Sequence, residues 1–386
     1  MSGLLPDAER AGEAPRADPI GSAPDGARGR GPMAPVAIEP GDEAPGQKVA
    51  GLPMILRLSR QLERGGAGGL LIVTPQGGER WRELLERSGC RLPVEEARVC
   101  KGACLDGGAL YDPSAISAWV AELAEGRSPE PPGPIVEART RSGRRRAEEE
   151  IYRSIRKSLA HDGPVSFFLA RPMSRPLTRA LARLGVSANA VTLAGLGVGI
   201  GAGLVAALGG YWASLGAALL FFAGLLIDCV DGDLARITLS TSRLGQWLDS
   251  LTDDLGYVAL AVGLGVGLGP PWLWLGLVTL GLVSAGQGVI YRWLAKSGGP
   301  IDTARYPWFF MGRGGLAQGG ERSIGGWLSF AVRRDSLTLI FLVLAALGLP
   351  EGILVLLGAG SAAYGALLVA DLTFKARREP GEERNP

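Results

Sequence analysis

The sequence predicts an α-helical membrane bundle of six transmembrane helices, preceded by a small soluble α/β domain. Three observations predict it. The 386-residue chain changes composition near Asn189, from a polar half rich in Pro, Gly, Arg and Glu to one dominated by Leu, Ala, Gly and Val. Beyond that point apolar stretches approach or reach the about 20 residues a helix needs to cross a hydrocarbon core. Before it, apolar residues at helical spacing alternate with a β-branched run, the pattern of a small α/β unit.

Residues 1–46 are Pro, Gly, Ala and charge with almost no aromatic content, which reads as a disordered tail. The start, MSGLLPDAERAGEAPR, lacks a basic segment followed by an apolar core, so no secretory signal peptide is expected. Residues 47–125 read as the α/β domain. PMILRLSRQLERGG is a helix stopped by a Gly pair, and GGLLIVTP is a strand. ERWRELLERSG is a second helix, and ALYDPSAISAWVAEL is an Asp-Pro turn leading into a third. Residues 126–150 read as a charged, Pro-rich linker. Its RSGRRR run is a solvated stretch or, so close to membrane segments, a contact for anionic lipid. Of the 4 cysteines, Cys90, Cys100, Cys104 and Cys229, only Cys100 and Cys104 are close in sequence. No second pair or nearby His completes a zinc set, so free thiols are expected.

Residues 151–376 form the membrane domain and 377–386 a polar tail. The expected spans are AVTLAGLGVGIGAGLVAALGG, ASLGAALLFFAGLLI, YVALAVGLGVGLG, WLWLGLVTLGLVSAGQGVIYRWL, LTLIFLVLAALGL and ILVLLGAGSAAYGALLVADLTF. The fifth is short and must borrow flanking residues. Connections near Gly209, Pro270 and Pro350 carry no Lys or Arg, whereas the opposite ones carry Arg236, Arg243, Arg292, Arg333 and Arg334 among others. Positive residues stay cytoplasmic, so both termini are expected inside, in agreement with an even number of spans. Glycine-rich spans favour a compact bundle or a homodimer face. A net charge of +2, from 40 Lys plus Arg against 38 Asp plus Glu, gives no reason to expect nucleic acid.

The second span runs directly into Asp228-Cys-Val-Asp231-Gly232-Asp233-Leu-Ala235-Arg236, and the third opens with Gly245-Gln-Trp-Leu-Asp249-Ser-Leu-Thr-Asp253. Carboxylates at a membrane boundary are costly unless paired or metal-bound. Helical spacings of three and four put Asp228 with Asp231, and Asp249 with Asp253, on one face each. Two such faces across a hairpin make a four-carboxylate cage that requires a cation. All-oxygen ligands select Mg²⁺, Mn²⁺ or Ca²⁺. Gly232 and Ala235 leave room for a ligand, and Arg236 offers a guanidinium to phosphate. Such a set suits a pyrophosphate-containing substrate.

These residues, Asp-x-x-Asp-Gly-x-x-Ala-Arg followed after eight residues by Gly-x-x-x-Asp-x-x-x-Asp, resemble the signature of the CDP-alcohol phosphotransferase (phosphatidyltransferase) family from Asp228 to Asp253. The resemblance implies transfer of a substituted phosphate group, such as phosphatidyl, from a CDP-linked donor to an alcohol or phosphorylated alcohol, with release of CMP. It places this in phospholipid or inositol-phosphodiester biosynthesis, and the loop charges put the site at the cytoplasmic face. It also implies two Mg²⁺ or Mn²⁺ ions held by Asp228, Asp231, Asp249 and Asp253, with Asp253 as general base. Asp228, Gly232, Ala235, Arg236 and Gly245 would receive the CDP part. RPMSRPLTRALARLGVSANAVT resembles the family's amphipathic helix before the first span, with Ala188 where the family usually has Pro. Arg292 and Arg334, at helix ends on the basic side, would bind a phosphorylated acceptor, although topology alone also explains positive charge there.

KVAGLPMILRLSRQLERGGAGGLLIVT and LDGGALYDPSAI are similar to segments of sugar-phosphate nucleotidyltransferases. The Gly-rich, Arg-containing phosphate loop is missing where APVAIEPGDEAPGQ stands, which implies a degenerate, inactive domain. Two other readings of the membrane half are a transporter, whose acids would line a mid-membrane pathway, and a catalytically inactive family member. The four acids gathered at one membrane edge, all intact, favour the enzyme.

Overall fold

The computed structural model describes residues 35–40, 46–75, 78–99, 104–157, 162–297, 306–308 and 333–378. The chain divides into two compact units, residues 1–154 and 155–386.

The first unit is built on a four-stranded, all-parallel sheet of order β5-β4-β1-β6. Its strands are β1 (Val36–Glu39), β4 (Leu70–Val73), β5 (Val94–Ala97) and β6 (Cys104–Asp106). Two small antiparallel pairs flank it, β2 (Lys48–Val49) with β3 (Leu52–Pro53), and β7 (Ala109–Leu110) with β8 (Val136–Glu137). The expected helices form as α1 (Met54–Gly65), α2 (Glu79–Arg87) and α3 (Pro113–Ala124). Gly66 closes α1 in the left-handed conformation, at φ 89°, which glycine adopts without strain. Asp112 caps α3 by accepting the Ser114 amide at 2.8 Å. Ile38, Leu58, Leu62, Leu70, Ile72 and Ile116 meet in the core.

Two expectations are corrected here. The tail predicted for 1–46 contains β1, which lies inside the sheet and is bonded on both sides. Four residues between Pro35 and Pro40 carry too little periodicity to announce a strand, whereas pairing with β4 and β6 satisfies their backbone. The rest of that tail, residues 1–34 and 41–45, lies outside the described residues. The linker predicted for 126–150 is also folded. Its Val136–Glu137 pairs with β7, and α4 (Arg141–Ser154) follows. Gly143, Ala147 and Ile151, four apart, form the buried stripe of α4. A Cβ at Gly143 would lie 2.1 Å from the Glu137 carbonyl oxygen, so glycine is what lets α4 close on β8.

The second unit is helical. A short π-helix (Ser166–Ala170) leads into α5 (Arg171–Leu184), the segment expected to be amphipathic. Met173, Leu177 and Leu184 of α5 are exposed while Ser174, Thr178 and Ala182 are buried. Then come α6 (Ala188–Ala206), α7 (Tyr211–Ile237), α8 (Arg243–Leu268), α9 (Trp272–Ser297), α10 (Arg334–Ala346) and α11 (Pro350–Arg378). Among the described residues five helices, α6 to α9 and α11, are long and apolar enough to cross a membrane, against six expected. The sixth candidate, α10, has 13 residues, about 20 Å at 1.5 Å per residue. The polar tail expected from 377 begins later, because α11 continues through Arg378.

Glycine sets the spacing of α6 and α8. A Cβ on Gly203 would lie 2.4 Å from the Ala259 carbonyl oxygen, and one on Gly263 2.0 Å from the Gly203 carbonyl oxygen. The two backbones are therefore in contact. Beside them Phe221 of α7, Tyr257 of α8 and Phe341 of α10 pack as an aromatic cluster.

Candidate active site

The site forms where α7 ends and α8 begins. The acidic run from Asp228 to Arg236 continues α7 without a break, and the chain then reverses through Leu239, at φ 51°. Ser242 caps α8, its Oγ accepting the Gly245 amide at 3.0 Å. A Cβ on Gly245 would come within 3.2 Å of both Asn189 Oδ1 and Ser242 Oγ, so the small residue brings the start of α6 against the first turn of α8.

Asp228, Asp249 and Asp253 each offer a carboxylate oxygen within 4.8 Å of the others. The i,i+4 pair on α8 therefore meets one acid of α7, as the spacing suggests. Asp231 lines the same cavity but is not in that trio. Three residues along a helix is about 60° short of a full turn, and its buried carboxylate accepts the Thr192 hydroxyl of α6 at 2.7 Å. Three carboxylates at this separation are a hard-oxygen donor set that suits a divalent cation and repels itself without one.

A cavity of about 410 Å³ opens on this cluster. Its lining includes the four acids with Lys157, Arg171, Arg236, Arg333 and Arg334, and the less polar Gly195, Gly199, Phe221 and Tyr257. Of the residues expected at the CDP part, Asp228, Gly232 and Arg236 line it, whereas Ala235 and Gly245 do not. The two expected acceptor arginines separate. Arg334 lines the cavity, donates to Asp253 and lies 5.1 Å over the Tyr257 ring. Arg292 is exposed and outside the lining, because its neighbours Ile290 and Leu294 take the buried face of α9.

Several residues of the site were not singled out from the sequence. Asp233 is buried, accepting from Arg171 Nη1 and from Arg236 Nη2, each at 2.6 Å. Arg171 also forks onto Asp162, with Nη2 at 2.7 Å from Oδ1. Burial alone would lower the Arg171 guanidinium, but its two carboxylate partners outweigh that and hold it above its ordinary range. Asp335 accepts the Ser166 amide at 2.9 Å. Asp254 accepts from Gln287 Nε2 at 2.9 Å and from the Tyr291 hydroxyl, tying α8 to α9. The available signal was chemical: a third acid beside Asp231, and a Thr within an apolar span.

Fold and site together define a class, a multi-span helical membrane protein whose carboxylate cluster and guanidiniums face one cavity. Residues 186–312 match the model of the CDP-alcohol phosphatidyltransferase family. The matched segment is thus similar to a CDP-alcohol phosphatidyltransferase domain, and it holds α6 to α9, four of the helices long and apolar enough to cross a membrane. Among solved structures, Mycobacterium tuberculosis phosphatidylinositol phosphate synthase with CDP-DAG bound aligns with 56% of this chain and 98% of that chain, at 19% identity and a TM-score of 0.39. No curated protein sequence matches the chain.

Proposed function

We propose that the second unit transfers a substituted phosphate group from a CDP-linked donor to an alcohol acceptor, releasing CMP. The observation that carries this reading is the carboxylate trio of Asp228, Asp249 and Asp253 within one cavity, on two of the four helices that the family model covers. Asp228, Asp249 and Asp253, with Asp231 beside them, would hold Mg²⁺ or Mn²⁺, two ions in the fullest form. Such ions supply charge neutralisation at the diphosphate. Asp253 takes the proton of the acceptor hydroxyl. The resulting oxygen attacks the phosphorus that bears the transferred group, and the bond from that phosphorus to the bridging oxygen breaks, so CMP carries the electron pair away. Gly232 and Arg236 receive the CDP diphosphate, with Ala235 and Gly245 shaping the helices behind them. Arg334, in contact with Asp253, is suited to a phosphate on the acceptor such as inositol phosphate or glycerol phosphate, whereas Arg292 is reassigned to topology.

The proposed topology keeps both termini and the site on the cytoplasmic side. Its support is the path of α10. Arg334 at its start bonds Asp253, and the Ala346 carbonyl near its end accepts the Tyr211 hydroxyl from the first residue of α7. α10 thus runs from beside Asp253 to beside the first residue of α7, which supports reading it as a sixth crossing. A homodimer is proposed from the open glycines Gly281 and Gly288 of α9, where an added Cβ would meet no atom of another element within 4 Å among the described residues. The first unit is proposed to be a degenerate nucleotidyltransferase-like domain. Asp106, in its Asp-containing turn, already accepts from Gly108 and from Arg139 at 2.9 Å. A transporter is disfavoured because the acids cluster with guanidiniums at one end of the spans, and an inactive member because all four acids are present.

The test is CMP release by purified protein from CDP-diacylglycerol and other CDP-alcohols, with inositol phosphate, glycerol phosphate or serine as acceptor. CMP should form with Mg²⁺ or Mn²⁺ and stop in EDTA. Folded protein that releases none with any pair would sink the reading, and full activity in EDTA would remove the metal role.

A further inference from the structure

Four charged side chains form a buried chain beside the cavity: Asp162, Arg171, Asp233 and Arg236, with side-chain exposures of 5%, 8%, 5% and 13%. Their charges cancel, which is what permits such burial. The donors are distributed unequally. Arg171 commits Nε and Nη2 to Asp162 and Nη1 to Asp233. Arg236 commits Nη2 to Asp233, while its Nε is buried with no hydrogen-bond partner among the described residues. Both guanidiniums meet the same oxygen, Asp233 Oδ1. Asp233 and Arg236 are three apart on α7, close enough to form a full two-bond fork by themselves. Arg171 competes with that fork, because it draws on the charge of the oxygen that Arg236 Nη2 already shares with it. Asp162 and Arg171 both lie outside residues 186–312, so this arrangement is carried by the segment that precedes the matched domain.

We infer that Arg171, anchored by Asp162, is a positioning residue that keeps Arg236 from closing onto Asp233 and so leaves its guanidinium available to the diphosphate of the donor. The inference rests on the proposed CDP-linked donor. Arg171 acts through Asp233, without touching the reacting atoms. Without it, Asp233 takes both ends of the Arg236 fork and donor binding weakens, while the carboxylate trio is unaffected.

Arg171→Ala alone would leave two buried carboxylates facing one guanidinium and would confuse folding with function. The charge-balanced pair Asp162→Asn with Arg171→Met keeps the buried group neutral. CDP binding by calorimetry at fixed Mg²⁺, in detergent, is expected to weaken about tenfold, the scale of one charge-assisted hydrogen bond. In turnover the change should fall on KM for the donor more than on kcat, with the Mg²⁺ concentration for half activation unchanged. Adding Asp233→Asn to the pair should restore CDP affinity, because nothing then holds the Arg236 fork. A purely structural role for Arg171 would make that triple variant worse. Equal CDP affinity in the wild type and the pair, or no recovery in the triple variant, overturns the inference. Absence of CDP binding to the wild type would instead sink the donor reading itself. If the pair does not fold, Arg171→Lys serves. It keeps the charge but not the fork, and unaltered CDP affinity in it overturns the inference equally.

Discussion

Asp253 sits between two roles, as a member of the carboxylate trio and as the acceptor of the Arg334 guanidinium. Asp253→Asn keeps the shape and removes the charge. CMP release should fall by roughly 10²–10⁴-fold, the usual range for a lost general base, while metal-dependent CDP binding is only partly lost. A variant with near-normal turnover would remove the base from Asp253. At this scale the sequence was informative about acids and poor about their partners. Asp228, Asp249 and Asp253 come together because three- and four-residue spacings on helices determine faces. Thr192 and Arg171 reach the site from other helices, 39 and 62 residues from Asp231 and Asp233, and no local pattern encodes such meetings.

The seam between α6 and α8 is where an element-scale expectation can be checked. Gly203 and Gly263 each face backbone at less than contact distance for a Cβ, whereas Gly197 and Gly201 on the same α6 face open space. Gly203→Val should destabilise the second unit by about 1–3 kcal/mol or more, the cost of overpacking, and lower its melting temperature in detergent. Gly201→Ala should leave the melt unchanged. Equal losses in the two would mean that composition, not close approach, governs these glycines. In the sequence both were glycines of a single GLGVGIGAG run, so packing or mere composition could not be told apart there. The geometry separates them, because only one side of α6 meets α8. Its length likewise left α10 undecided in the sequence, whereas the structure puts the ends of its 13 residues beside Asp253 and Tyr211.

For the whole molecule, the division after Ser154 defines where a truncation leaves both units intact. A cut near residue 140, at the end of the chain's charged, Pro-rich stretch, would strand α4, whose buried Gly143, Ala147 and Ile151 belong to the first unit. Removal of residues 1–154 should leave metal-dependent CMP release within about twofold of the full chain, given a carboxylate trio, cavity and seam that lie wholly in the second unit. A well-folded truncated protein without activity would assign the first unit a part in the reaction.

By itself the sequence determined the class of the second unit, because hydropathy over about 20 residues and carboxylate spacing along a helix are local quantities set by the bilayer and the helical repeat. It likewise determined α1 to α3 and β4, whose caps and periodicity lie within each segment. Only the tertiary structure decided that Val36–Glu39 is an interior strand, that α4 is folded rather than a linker, and that Asp231 turns to Thr192 while Asp233 shares one oxygen between Arg171 and Arg236. Each of these depends on a partner distant in the chain, and a backbone group or buried charge takes its place by where that partner stands.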